Sequence, residues 1–176
     1  MTRPRHDPIS PIPFRVLLWS IPLSVFIHNL EEYPRIVAYA QRHGVPINCR
    51  QMGIAVALAT ILPIPLTYAA LQQPTSRVRT QRILAVPALL AVNALTHLLQ
   101  TIVLRDCSPG TMTGLGVNVP LAVYLYVRAA REGVLTTREL QRAALLGASA
   151  MAPAALVLQA IGWLLDRGYR SLTKGR

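Results

Sequence analysis

The stretch ILAVPALLAVNALTHLLQTIVL, residues 83–104, contains no charged side chain. A helix needs about 20 mainly apolar residues to cross the hydrocarbon layer of a bilayer, so this run is long enough to span one. It nevertheless includes Asn93 and His97, which lie four positions apart and therefore on one face of a helix. Polar side chains are costly inside a membrane helix and usually have a function there. The stretch therefore predicts a membrane helix that carries part of a functional site.

The composition of the whole chain agrees with a membrane protein. Of its 176 residues, 52% are hydrophobic and 14% are charged, against roughly 25% charged residues in soluble domains. Four more apolar runs are also long enough to predict spanning helices: 14–33, 52–71, 109–127 and 143–165. We predict an all-α integral membrane bundle of about five transmembrane helices, forming a single membrane-embedded domain over residues 1–176.

Two further predictions concern the first apolar run and the connection that follows it. No small-x-small cleavage site follows the first run, so we expect this segment to be retained and not removed as a signal peptide. In the connection, residues 36–43 predict a separate short interfacial helix that ends at Gly44.

The net charge of +11 comes from 18 basic residues that lie almost entirely between the apolar runs and at the two ends. This distribution is typical of charges that flank membrane helices, and it favours membrane lipids over nucleic acid as the partner. Ten basic residues fall on the side of the amino terminus and eight on the other side. The side with more positive charge usually faces the cytoplasm, so we predict a cytoplasmic amino terminus in a multi-pass protein.

A second polar motif, His28-Asn29-Leu30-Glu31-Glu32, lies at the end of the first apolar run. Glu31 and Glu32 follow His28 by three and four positions, so all three side chains share one face of a helix. An imidazole and two carboxylates at the edge of a hydrocarbon layer are costly to place there. We therefore treat these three residues as candidate site residues.

Topology predicts that the two motifs lie on the same side of the membrane. The first and third helices run in the same direction, because the second helix returns the chain between them. His28 lies at the end of the first helix, and His97 lies in the second half of the third. Cys107 and Thr111, in the turn Cys107-Ser108-Pro109-Gly110-Thr111, follow the third helix directly and join the same end.

Three interpretations of these side chains remain open. His28 with Glu31 or Glu32, together with His97, supplies nitrogen and oxygen ligands suited to zinc or another divalent metal. Without a metal, Glu31, Glu32 and His97 would act as catalytic acid, base and proton relay. In the third interpretation, the glutamates face water beside Arg35 and the histidines are hydrogen-bonded structural residues. Asn93 also has a structural alternative, a hydrogen bond that joins two helices.

The distribution of ionisable residues favours one class of function. A transporter or ion pathway needs polar groups through the depth of the bilayer, whereas here they concentrate toward one end. An enzyme that acts on a lipid or another hydrophobic small molecule needs its catalytic groups at such an interface. We therefore favour the enzyme, with a transporter and a non-catalytic membrane assembly protein as alternatives.

The two cysteines, Cys49 and Cys107, are predicted on the same side as the polar motifs. A disulfide between them is possible if this side is extracytoplasmic. If it is cytoplasmic, Cys107 becomes a candidate ligand or reactive thiol. Two independent free thiols are the third alternative.

At these residues the chain resembles the HXXEE family of small bacterial integral membrane proteins, named for a motif that residues 28–32 match in full. The resemblance implies an asparagine–histidine motif on a later helix, which residues 93–97 fit. It also implies a cysteine–proline–glycine–threonine element, to which residues 107–111 correspond, and a location in the bacterial plasma membrane. The family has no established activity, so the resemblance supports the site and leaves the reaction open.

Overall fold

The computed structural model describes residues 12–174, and every regular element within that range is helical. The predicted all-α fold is therefore confirmed. Arg3 and Arg5 of the basic amino-terminal end lie outside the described residues. The elements, in chain order, are α1 (Phe14–Leu17), α2 (Ser20–Arg42), α3 (Cys49–Ile61), α4 (Pro63–Gln72), α5 (Arg77–Leu104), α6 (Thr111–Thr113), a π segment (Gly114–Asn118), α7 (Val119–Arg131) and α8 (Thr137–Lys174).

Each of the five predicted apolar runs is helical. Three of the resulting helices are long and apolar enough to cross a membrane, namely α3 with α4, α5, and α8. The first run is divided between α1 and α2, and the fourth run is divided by the π segment. Spanning by these two runs stays a prediction.

The expectation of a separate interfacial helix after the first run is wrong, because α2 continues through Pro34 to Arg42. A proline inside a helix lacks one N–H donor but leaves the hydrogen bonds on either side available, so the helix can persist. The predicted end at Gly44 is confirmed. This glycine has a φ of +78°, which is the left-handed conformation typical of the residue after a helix.

The apolar core lies at the end of the bundle where α5 begins. Its buried members are Phe14, Leu18, Ile21, Ala70, Ile83, Leu84, Leu125, Ala129, Leu135, Leu140 and Ala143. Arg128 is buried beside this core, but its charge is satisfied: it donates hydrogen bonds to Glu132, to the Tyr124 hydroxyl at 2.9 Å and to the Ile12 carbonyl at 3.0 Å. Apolar packing therefore fixes one end of the bundle and leaves the polar residues of α5 near the other.

Helix α8 packs closely on α5 and turns most of its apolar side chains outward. A Cβ atom at Gly147 would contact the Ala85 carbonyl and come within 2.8 Å of the Ala88 Cβ atom, so the two helices touch at this glycine. In the most apolar window of α8, 6% of the residues are buried inside the bundle. Leu156, for example, is 71% exposed. Such an apolar outer surface is typical of a helix that contacts lipid.

Replacing Gly147 with alanine should weaken the packing of α8 on α5. The added methyl group has no space against the α5 backbone, so we expect the free energy of unfolding to fall by about 1–3 kcal/mol. Thermal unfolding of the detergent-solubilised protein measures this change. Gly168→Ala on the same helix is the control, since nothing lies within 4 Å of its Cβ position. Equal melting temperatures for the two variants would contradict the described contact.

Candidate functional site

Helix α2 supplies His28, whose side chain is 2% exposed. The Nδ1 atom of its ring lies 3.0 Å from the Thr113 hydroxyl, which belongs to α6. This hydrogen bond joins α2 to the segment that follows α5. It also fixes the orientation of the ring, so that the Nε2 atom faces the interior of the bundle.

Helix α5 supplies His97, which is 5% exposed. Its Nδ1 atom lies 2.9 Å from the Ser108 hydroxyl, and this hydroxyl donates a hydrogen bond of 2.8 Å to the Gln100 side-chain oxygen. The hydroxyl hydrogen is therefore committed to Gln100, and Ser108 accepts from the His97 Nδ1–H group. The ring of His97 is thus held in the same way as the ring of His28.

The amide of Asn93 connects the two histidines. Its Nδ2 atom lies 3.1 Å from His28 Nε2 and 3.0 Å from His97 Nε2. An amide nitrogen has two hydrogens and no lone pair, so both Nε2 atoms accept. With their Nδ1 atoms donating and their Nε2 atoms accepting, both imidazoles are neutral. Their Nε2 lone pairs face a common point, and the ring centroids are 5.5 Å apart.

Glu32 adds a carboxylate to this point. Its Oε2 atom lies 3.5 Å from His28 Nε2. His28, Glu32 and His97, which we call the donor group, each offer one ligand atom, and these atoms all lie within 4.8 Å of one another. The donor group therefore has the atom types and the spacing that could hold a metal ion.

Glu31 has a different environment, although it is the neighbour of Glu32. Its Oε2 atom accepts a hydrogen bond of 2.7 Å from the backbone N–H of Thr113, and its Oε1 atom lies 3.6 Å from the Arg35 guanidinium. Thr113 lies in the first turn of the helical stretch that begins at Thr111, where free N–H groups favour an anion. The structure therefore places Glu31 beside the donor group as a helix cap, while its predicted role as catalyst or ligand stays a prediction.

The turn from Arg105 to Gly110 turns Ser108 toward His97 and leaves Cys107 exposed. Thr111, directly after this turn, donates a hydrogen bond of 2.6 Å to the Ser108 carbonyl. Thr111 thus stabilises the turn, and among the described residues its side-chain hydrogen bonds are with Ser108 and Thr101. Cys49 and Cys107 are both exposed free cysteines, so the structure contains no disulfide between them.

An ion-paired cluster lies outside the donor group at the same end of the bundle. The Asp106 carboxylate accepts a hydrogen bond of 2.9 Å from Arg42 and lies 3.2 Å from His43 Nε2. Chiefly through the Arg42 hydrogen bond, these contacts hold the pKa of the Asp106 carboxyl below its usual value. They connect the end of α2 to the turn after α5, and so help to keep the turn over the donor group.

Comparison with known proteins identifies a family. The family described as "Protein of unknown function with HXXEE motif" matches residues 19–125, a range that includes the donor group and the residues that hold it. The chain belongs to this family. The HXXEE motif corresponds to His28, Glu31 and Glu32, the α2 part of the site.

One relative is the uncharacterized protein YrkK of Bacillus subtilis (strain 168). It is 23% identical to this chain over 121 residues, which cover 66% of this chain and 77% of that protein. No solved structure matches the chain.

Several residues that support the HXXEE site were not among the candidate site residues chosen from the sequence, although Ser108 and Gly110 lie in the quoted element at residues 107–111. Thr113, Ser108 and Gln100 orient the histidines, as described above, and Gly110 lies against both rings. A Cβ atom at Gly110 would lie 2.7 Å from His28 Cε1 and 3.1 Å from His97 Nε2. Gln100 follows His97 by three positions, so helical spacing could have suggested it. The others depend on how the turn folds, and no local pattern indicates that.

Gly110→Ala should disrupt the HXXEE site. Gly110 has a φ of +88°, which disfavours an L side chain, and the new methyl group would collide with both imidazoles. We expect a large fall in melting temperature and altered imidazole nitrogen signals in NMR spectra. Gly44→Ala is a matched control, because Gly44 has a φ of +78° but nothing within 4 Å of its Cβ position. If both variants change stability alike, contact with the rings is not the reason that position 110 needs glycine.

Proposed function

We propose that this chain is a multi-pass integral membrane protein whose donor group binds a divalent transition-metal ion and uses it to act on a lipid or another hydrophobic molecule. The observation that carries the proposal is the donor group itself. Three side chains, His28, Glu32 and His97, offer ligand atoms within 4.8 Å of one another at one end of an apolar helical bundle. Two neutral imidazoles and one carboxylate are a common ligand set of catalytic zinc and of non-haem iron.

The hydrogen bonds behind the histidines support a metal site. Metal-binding histidines usually donate their other ring N–H group to an oxygen acceptor, which fixes the tautomer and the ring orientation. Both histidines of the donor group have such a partner, the Thr113 hydroxyl for His28 and the Ser108 hydroxyl for His97. Histidines with a purely structural role would not need to direct their Nε2 atoms at a common point.

The position of the donor group supports a substrate that lies in the membrane. Helix α5 continues for seven residues beyond His97, which places this histidine about 10 Å from the end of the helix. A site at that depth would meet the boundary between acyl chains and headgroups. The outer surface of the bundle is rich in exposed apolar side chains, such as Leu99 and Met112, which flank the site in sequence.

Within the proposed enzyme, a bound divalent ion would polarise a carbonyl or phosphoryl oxygen of the substrate and lower the pKa of a coordinated water. Glu32, His28 and His97 would hold the ion beside the reacting atoms. Glu31 would hold the α6 segment in place through its hydrogen bond to Thr113.

The distribution of basic residues supports one orientation in the membrane. With ten of 18 basic residues on the side of the amino terminus, we propose a cytoplasmic amino terminus and a donor group at the opposite membrane face.

Protein purified without chelators should contain close to one divalent transition-metal ion per chain. His28→Ala and His97→Ala each remove a ligand, and Glu32→Gln replaces an anionic ligand with a neutral one. Loss of an outer hydrogen-bond partner typically weakens metal binding by about 10–100-fold, and we expect a larger loss from each of these three changes. Ser108→Ala removes such an outer partner and should fall within that range. Metal analysis and titration of the purified variants measure these effects.

His43→Ala is the matched control for the metal experiment. His43 lies at the same end of the bundle but contacts Asp106 and not the donor group, so this variant should keep its metal. Absence of metal from the wild-type protein, with no uptake on titration, would overturn the metal site and favour metal-free acid–base chemistry. Metal that persists in all three ligand variants would place the ion elsewhere.

Cells that lack the gene should show a changed lipid profile, which expression of the wild-type protein restores. Glu32→Gln and His97→Ala should fail to restore it, although both proteins are made and inserted. His43→Ala should restore it fully. Rescue by both site variants would show that the donor group is structural, and the enzyme would have to be abandoned in favour of an assembly role.

A further inference from the structure

The amide of Asn93 occupies the point at which the donor group converges. As described above, its Nδ2 atom lies 3.1 Å from His28 Nε2 and 3.0 Å from His97 Nε2. Protein zinc–nitrogen distances are about 2.0–2.1 Å. An ion placed along the two Nε2 lone pairs would therefore lie only about 1 Å from the Asn93 nitrogen. The amide in this position and a metal ion exclude each other.

Asn93 is less constrained by its surroundings than the two histidines are. Thr113 and Ser108 hold the rings of the histidines, and both rings are almost fully buried. Asn93 is only partly buried. Among residues 12–174, no hydrogen-bond partner is found for its Oδ1 atom, so a rotation of the carboxamide breaks no bond on that side.

We propose that Asn93 is a movable metal ligand, an inference that rests on the proposed metal site. When no ion is bound, the Asn93 nitrogen bridges the two imidazoles and keeps their lone pairs directed at one point. When an ion enters, the carboxamide turns about its Cβ–Cγ bond, draws back and presents Oδ1 to the metal. The complete protein ligand set is then two imidazole nitrogens, the Glu32 carboxylate and the Asn93 carbonyl oxygen.

The chemistry of the amide fits both positions. Its nitrogen can donate to two acceptors at once, and its oxygen is an acceptor that coordinates hard and borderline divalent ions. The single side chain therefore satisfies the buried lone pairs before metal binding, which avoids the cost of leaving them without partners. The mixed nitrogen and oxygen set suits Zn²⁺, Fe²⁺, Co²⁺ or Mn²⁺ better than Cu⁺, which prefers sulfur ligands.

Substitutions at Asn93 test the proposal, with Co²⁺ as a visible probe of the ligand set. The full chain in detergent is titrated with Co²⁺ while its visible spectrum and melting temperature are recorded. Asn93→Asp supplies an anionic oxygen but no donor for the Nε2 atoms. We expect a lower melting temperature without metal, at least tenfold tighter Co²⁺ binding and a shifted spectrum. Asn93→Leu supplies neither group, so Co²⁺ should bind at least tenfold more weakly with an altered spectrum.

Asn29→Asp is the matched control, since Asn29 is a neighbouring amide that joins α2 to the Thr60 hydroxyl of α3 at 2.6 Å. It should lower the melting temperature but leave the Co²⁺ affinity and spectrum unchanged. Wild-type affinity and spectrum in both Asn93 variants would overturn the inference while leaving the proposed metal site intact. Failure of the wild-type chain to bind Co²⁺ would overturn both. Should Asn93→Leu not fold, the spectrum of Asn93→Asp alone decides between these outcomes.

Discussion

The site depends on one contact between distant parts of the chain, the hydrogen bond from the Thr113 backbone N–H to the Glu31 carboxylate at 2.7 Å. The first N–H groups of a helical segment have no partner within that segment, and a carboxylate that accepts from them forms a strong, charge-assisted hydrogen bond. This contact fixes α6 against α2. In the same arrangement the Thr113 hydroxyl reaches His28 and Gly110 lies against both imidazole rings.

The π segment Gly114–Asn118 directly follows Thr113 and accompanies the attachment of this residue to α2. Thr113 is held by α2, while Leu125 and Ala129 of α7 are held in the apolar core at the other end of the bundle. A π turn takes up an extra residue within a helix, which lets both ends keep their contacts. Asn118 is 1% exposed, and no hydrogen-bond partner is found for its side chain among the described residues. An unsatisfied buried amide costs about 1–3 kcal/mol.

The sequence predicted which helices carry the site residues better than it predicted the contacts among those residues. Apolar runs located the helices, and the end of α5 at Leu104 agrees with the predicted boundary. Parallel directions of the first and third helices brought His28 and His97 to the same end. Glu31 and Glu32 follow His28 by three and four positions, so helical spacing alone places both of them on the same face as His28. Which of them approaches the imidazole and which one caps α6 depends on the fold of the turn after α5, and that turn is fixed by tertiary contacts that no local pattern reveals.

The charges of the donor group explain why a cation would complete this site. Both imidazoles use one nitrogen as a donor and the other as an acceptor, so neither carries a positive charge in the described hydrogen-bond network. Among residues 12–174, the basic side chain within 4 Å of the Glu32 carboxylate is the neutral ring of His28, at 3.5 Å, whereas Glu31 has the Arg35 guanidinium at 3.6 Å. A carboxylate that is partly buried without a cationic partner is unfavourable. A proton on Glu32 would also remove the charge, but it would leave the two Nε2 lone pairs with the Asn93 amide as their common partner. A divalent ion would neutralise the carboxylate and occupy both Nε2 lone pairs at once, which is the arrangement that the convergence of these three side chains favours.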